Sequence, residues 1–158
     1  MKLAEHVTRH SIGVAEFMSE YAETHPDLKA DPAKYYVLGL LHDIGKLFPG
    51  DPDPDNPKNE YKNHAAKGAA LMEDMGFSYY KEIKHHGHPE NKYFSTAWLI
   101  LNLADMSING KGEKVPINTR IQNIKKRYGD NSEQYEHAKE IFKILVNNHI
   151  IRENGTIF

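Results

Sequence analysis

The sequence predicts an all-α fold, a bundle of about six to seven helices. Three observations carry that expectation. Apolar residues recur at three- and four-residue intervals along most of the chain. Prolines, glycines and capping residues fall between these periodic stretches. No internal repeat and no strand-rich section interrupts them.

The first helix carries Leu3, Val7, Val14, Phe17, Met18 and Tyr21 on one stripe, with His10 inside it, and ends before Pro26. The second begins at Asp31 and Pro32, a capping residue followed by a proline at the first helical position. It is apolar nearly all round, so it is expected to be the buried central helix. Pro49, Gly50, Pro52, Pro54 and Pro57 then forbid regular structure, and this acidic loop is either a cover over a site or a plain connector. A third helix over about 63–75 presents Ala65, Ala66, Gly68, Ala69 and Ala70, a thin face that lets another backbone approach. A short fourth helix opens at Ser78 and runs into His85, His86 and Gly87. The fifth, capped by Ser95, is a core helix built from Ala97, Trp98, Leu99, Ile100, Leu101, Leu103, Ala104, Met106 and Ile108. The sixth starts at Pro116, carries Ile117, Ile121, Ile124 and Tyr128 on one side and a basic face opposite, and stops at Gly129. Asp130 and Glu133 resemble a capping box for the seventh, whose inner face is Tyr135, Ala138, Ile141, Phe142, Leu145 and Val146. Asn154 and Gly155 favour a final turn or hairpin.

A chain of 158 residues, 39% hydrophobic, supports one core, and a single domain over residues 1–158 is expected. A net charge of -2 and a mean hydropathy of -0.68 argue against a general nucleic-acid or membrane-surface binder. No basic-then-apolar leader opens the chain, so a cytoplasmic location is expected. Cysteine is absent, so any metal must be held by imidazole and carboxylate, and ten histidines are available.

His42 and Asp43 end the apolar run of the second helix and are followed at once by Ile44, Gly45 and Lys46. A carboxylate among aliphatic side chains loses several kcal/mol of hydration unless a cation or strong hydrogen bonds replace the water. The pair alone therefore fits either a metal site or a hydrogen-bonded structural pair. Asp105 repeats the argument in the most apolar helix of the chain, with Arg120 or Lys126 as alternative partners. His10 faces the core of its helix. His64 opens the third helix, where a solvent-facing or capping role is the plain reading, and His85 and His86 close the fourth, where a histidine complements the helix dipole. His6, His25, His88, His137 and His149 read as surface residues.

Together, His10 with Ser11, Val14 and Ala15, then Leu41 to Lys46, His64 before Lys67 and Gly68, Ile83 to His86, and Leu103 to Asp105 resemble the HD superfamily of metal-dependent phosphohydrolases. The resemblance implies an HD-domain helical bundle in which His10, His42, Asp43 and Asp105 surround one metal ion. Asp43 would bridge toward a second ion held by His64 and His86. One or two divalent ions, iron, manganese, magnesium or zinc, would activate water for hydrolysis of a phosphoester or phosphoanhydride. Asp43 would be catalytic through those ions. Lys46 is either a phosphate-binding catalytic residue or a solvated lysine.

The pattern is most similar to the small HD hydrolases that cleave dinucleoside tetraphosphates symmetrically, where one histidine follows an isoleucine by three positions, as His86 follows Ile83. The cyclic-dinucleotide phosphodiesterases of the HD-GYP type carry Gly-Tyr-Pro after the histidine pair, and here Gly87, His88 and Pro89 follow. The expected partner is a small phosphorylated molecule, a nucleotide foremost, with no stable nucleic acid and no membrane; an oligomer stays open. The alternatives are a phosphodiesterase for cyclic or oligomeric nucleotides and a metal-stabilised nucleotide-binding module without turnover.

Overall fold

The computed structural model describes residues 2–48 and 63–158. Among them seven α-helices follow one another: α1 (Lys2–Thr24), α2 (Pro32–Leu41), α3 (His64–Asp74), α4 (Tyr80–His85), α5 (Thr96–Asp105), α6 (Ile117–Tyr128) and α7 (Glu133–Asn147). No strand occurs among the described residues. Two isolated antiparallel bridges, Ile108 with Lys114 and Ile151 with Ile157, close short turns, the second around the expected Asn154 and Gly155. Three 3₁₀ turns, Pro26–Leu28, Ile44–Leu47 and Pro89–Asn91, are too short to leave a periodic signal in the sequence. The expected proline-rich loop at 49–57 lies outside the described residues.

Side-chain caps set the N-terminal ends of α2, α5 and α7. The Asp31 carboxylate accepts the backbone N–H of Ala33 at 2.9 Å, and the Ser95 hydroxyl accepts that of Trp98 at 3.1 Å. Gly129 ends α6 as expected. The expected Asp130 cap is corrected: the N-cap of α7 is Ser132, whose Oγ accepts the N–H of Tyr135 at 3.2 Å. Ser132 also donates its hydroxyl to the Gly129 carbonyl at 2.8 Å, so the turn that ends α6 fixes the cap of α7 and leaves Asp130 outside the helix. Ser132→Ala is expected to lower stability by about 1 kcal/mol. Urea unfolding checks this, with Asp130→Ala close to neutral; the reverse ranking would restore the capping-box reading.

The second correction concerns α2, which has an outer face. Tyr35, Leu38 and Gly39 are buried, whereas Val37 and Leu40 are each 37% exposed. A helix with apolar residues on every side does not reveal which side packs. The central element is instead α5, buried without a break from Ala97 to Ala104, and α1, α2, α4 and α7 all pack on it. One apolar cluster runs from Val14 on α1 through Trp98 and Leu101 on α5 to Leu145 on α7. Glu82, 4% exposed, ties α4 to the start of α5 by accepting the hydroxyls of Tyr93 and Ser95, both at 2.8 Å. The thin face expected of α3 does admit another backbone: a Cβ on Gly68 would stand 3.2 Å from the Gly45 nitrogen.

Candidate metal centre

The end of α2 turns inward, carrying His42 and Asp43 to 0% and 2% exposure, and the 3₁₀ turn Ile44–Leu47 leads away. Three histidines around this point share one device. His42 Nδ1 lies 2.6 Å from the Gly39 carbonyl, His86 Nδ1 2.5 Å from the Ile83 carbonyl, and His10 Nδ1 3.1 Å from the Asn109 carbonyl. A carbonyl only accepts, so each Nδ1 carries the proton and donates. Each Nε2 is thereby turned into the centre, the arrangement that orients metal-ligating imidazoles.

The two oxygens of Asp43 face different neighbours. Oδ2 lies 3.3 Å from His42 Nε2, 3.9 Å from His10 Nε2 and 3.1 Å from Lys46 Nζ. Oδ1 lies 3.3 Å from His64 Nε2 and 3.2 Å from His86 Nε2. Asp105 joins the first set, its Oδ1 2.7 Å from His10 Nε2 and 3.4 Å from His42 Nε2. Among the described residues no ion pair forms between Asp105 and Arg120 or Lys126, the alternative partners raised by sequence. The ligand atoms of His10, His42, Asp43 and Asp105 lie within 4.8 Å of one another, as do those of Asp43, His64 and His86; each set could hold a divalent ion. His64 enters this group rather than capping α3, whose N-cap is Asn63 in the left-handed conformation.

His42 tests the fit. Its Nδ1–H is committed, and its buried Nε2, although close to two carboxylates, makes no hydrogen bond of acceptable geometry. A neutral ring would aim a lone pair at anionic oxygens, so the position calls for a cation, and a proton there is poorly directed. Electrostatics agree. Burial opposes the charged form of His42, yet Asp43 and Asp105 outweigh it and raise the pKa to about 10. Burial likewise opposes ionisation of Asp43 and Asp105, but His42 and Lys46 around the first, and His10 and His42 around the second, hold both well below the usual carboxylate range. His86 is shifted downward, chiefly by burial, which keeps its nitrogen available as a ligand. Burial works against the Lys46 ammonium too, and Asp43 and Asp105 overcome it and raise its pKa.

The structure separates His86 from its neighbour. His86 is 4% exposed and points inward, while His85 turns toward Asn91 and packs on Tyr93. Two residues of α5 fix that turn. Trp98 donates its indole N–H to the His85 carbonyl at 2.8 Å, and Asn102 accepts the Gly87 N–H at 2.8 Å. Gly87 has φ +72°, a left-handed conformation that a side chain would strain. Asn102 is a site-positioning residue not singled out by sequence, although the signal is there: it is a polar residue three positions before Asp105 in the same apolar helix. His88 and His137, expected as separate surface residues, are brought together. They meet across Glu90, at 2.9 Å and 3.2 Å, between the turn Pro89–Asn91 and α7.

A family model for the HD domain matches residues 7–121, a span that contains all six side chains of the two groups. The chain belongs to the HD domain family. No curated protein and no solved structure matches it. HD domains are generally metal-dependent hydrolases of the phosphohydrolase type, and the His/Asp cluster fits that chemistry. Helix α7 and the closing turn lie beyond the HD match. No described helix is long and apolar enough to cross a membrane.

Proposed function

We propose that this HD protein hydrolyses a phosphoester or phosphoanhydride bond of a nucleotide or other small phosphorylated metabolite. It would act as one cytoplasmic domain, with His10, His42, Asp43, His64, His86 and Asp105 as its metal ligands. The observation that carries the reading is the division of Asp43, whose Oδ1 faces His64 and His86 while Oδ2 faces His42 and Lys46. That is the placement of a carboxylate shared by two ions. Divalent ions in such a site polarise a phosphoryl oxygen and lower the pKa of water to about 7.

The chain's own groups supply the rest. Backbone carbonyls lock the imidazoles of His10, His42 and His86, so little reorganisation accompanies ligand binding. Lys46, half-buried beside Asp43, brings a fixed positive charge to the side where negative charge grows on the transferring phosphoryl group. A cavity of about 540 Å³ is lined by His64 and Asp105 of the centre together with Lys84, His88 and His137. That size suits a small ligand. The inward turn of His86 alone supports the register of the symmetrical dinucleoside-tetraphosphate hydrolases.

The test is phosphate and nucleotide release from a panel of mono-, di-, cyclic and dinucleoside-polyphosphate nucleotides, with anaerobically purified protein loaded with iron or manganese. Turnover of linear polyphosphates that chelation abolishes and metal restores is expected. Exclusive turnover of cyclic nucleotides would replace the reading with a phosphodiesterase. Nucleotide binding without product would replace it with a binding module.

A further inference from the structure

Two histidines that line the cavity, His88 and His137, meet on one carboxylate, Glu90. His88 precedes the turn Pro89–Asn91, Glu90 lies within it, and His137 projects from α7. Each oxygen of Glu90 faces one imidazole, Oε1 at 2.9 Å from His88 Nδ1 and Oε2 at 3.2 Å from His137 Nε2. Glu133, one turn before His137, brings a second carboxylate to 3.7 Å from the same Nε2. Both separations at His137 exceed the about 2.7–2.9 Å of a charge-assisted hydrogen bond, so this nitrogen stands between two carboxylates and closes on neither. The ligand atoms of His88, Glu90 and His137 all lie within 4.8 Å of one another. None of the three belongs to the groups around Asp43.

We propose that His88, Glu90 and His137 form a further metal site, apart from the Asp43 centre, that takes a divalent transition metal, zinc foremost. The donor set decides the class. Two imidazoles and a carboxylate without sulfur suit zinc and its neighbours in the transition series, whereas magnesium and calcium favour oxygen throughout. Three protein ligands leave a coordination position for water or a ligand oxygen, as in open zinc sites. The ion takes the place of the protons that the two nitrogens otherwise turn toward Glu90, and the Glu133 carboxylate adds negative charge beside it. His88 and Glu90 lie within the HD match and His137 lies beyond it, so a bound ion clasps α7 to the turn Pro89–Asn91. That clasp fixes the side of the cavity that α7 lines with Gln134, His137 and Ile141.

The experiment measures zinc bound per chain by equilibrium dialysis and elemental analysis, with thermal unfolding of the same samples. Asp43→Ala protein serves as the background, because it lacks the ligand common to both central groups. It is expected to retain a single zinc ion with a dissociation constant on the order of micromolar, and to unfold at a higher temperature with zinc than without. Adding His137→Gln or Glu90→Gln is expected to weaken that binding at least about ten-fold and to abolish the thermal shift. Zinc binding unchanged by both substitutions, or zinc held only at about millimolar concentration, overturns the site. A parent protein that binds no more zinc than Asp43→Ala protein overturns the Asp43 centre instead, and loss of that zinc in His137→Gln still supports the site proposed here. If Asp43→Ala protein fails to fold, the parent and its His137→Gln variant decide: one zinc fewer in the variant supports the site, and equal content overturns it.

Discussion

Asp43→Ala protein is expected to lose metal from both ligand groups at once and to hydrolyse phosphorylated substrates at least about a thousand-fold more slowly than the parent. The reason is geometric. Asp43 is the residue common to the two sets, one oxygen directed to each, so its removal takes a ligand from both. Removing Asp105 affects only the set that includes His10 and His42, and Asp105→Asn should therefore retain metal at His64 and His86. Elemental analysis of the purified variants, with phosphate release measured on the same samples, reads both quantities. An Asp43→Ala protein that stays active without bound metal would remove the basis for the whole assignment.

Gly45→Ala is expected to be the most damaging single-methyl change near the site. A Cβ at that position would stand 1.8 Å from the His64 carbonyl oxygen and 2.7 Å from the carbonyl carbon, both backbone atoms of α3. Flexible side chains can move aside at small cost, whereas a helix terminus has to shift as a body. A loss of about 3 kcal/mol or more is expected. Because His64 opens α3, the shift also draws its imidazole away from Asp43 and His86. Metal at the His64 and His86 group should weaken more than metal at the His10 group. Thermal unfolding and metal titration of Gly45→Ala check the two effects. A protein of parental stability with full metal content would show that the Gly45 approach to α3 does not position the site.

Much of the centre was legible in the sequence because its residues break the pattern of their own helices. His42 and Asp43 close an apolar run, and Asp105 lies near the end of the most apolar helix, so the cost of burying a charge marks each of them before any contact is known. His10 was marked by its place within a buried stripe. The resemblance supplied the order in which these residues belong together, and the HD match over residues 7–121 shows the family.

Other features depend on directions that periodicity does not encode. Helix α2 is apolar on every side, so its exposed Val37 and Leu40 could be found only by seeing what packs against it. The cap of α7 passed from Asp130 to Ser132 because the turn after Gly129 sets the register of the helix start. Asn102 carried the same burial signal as Asp105, but its partner, the Gly87 N–H, lies fifteen residues away and belongs to a turn the sequence did not define. The meeting of His88, Glu90 and His137 joins a 3₁₀ turn to a helix more than forty residues later, a tertiary contact that local spacing does not reveal.

The most direct measurement is an anomalous difference map, collected at the manganese absorption edge from crystals of the metal-loaded protein. Peaks are expected on both sides of Asp43, one within coordination reach of His10, His42 and Asp105 and the other within reach of His64 and His86. A fully loaded crystal with no peak beside Asp43, or with manganese bound only elsewhere on the chain, would contradict the assignment of the metal centre.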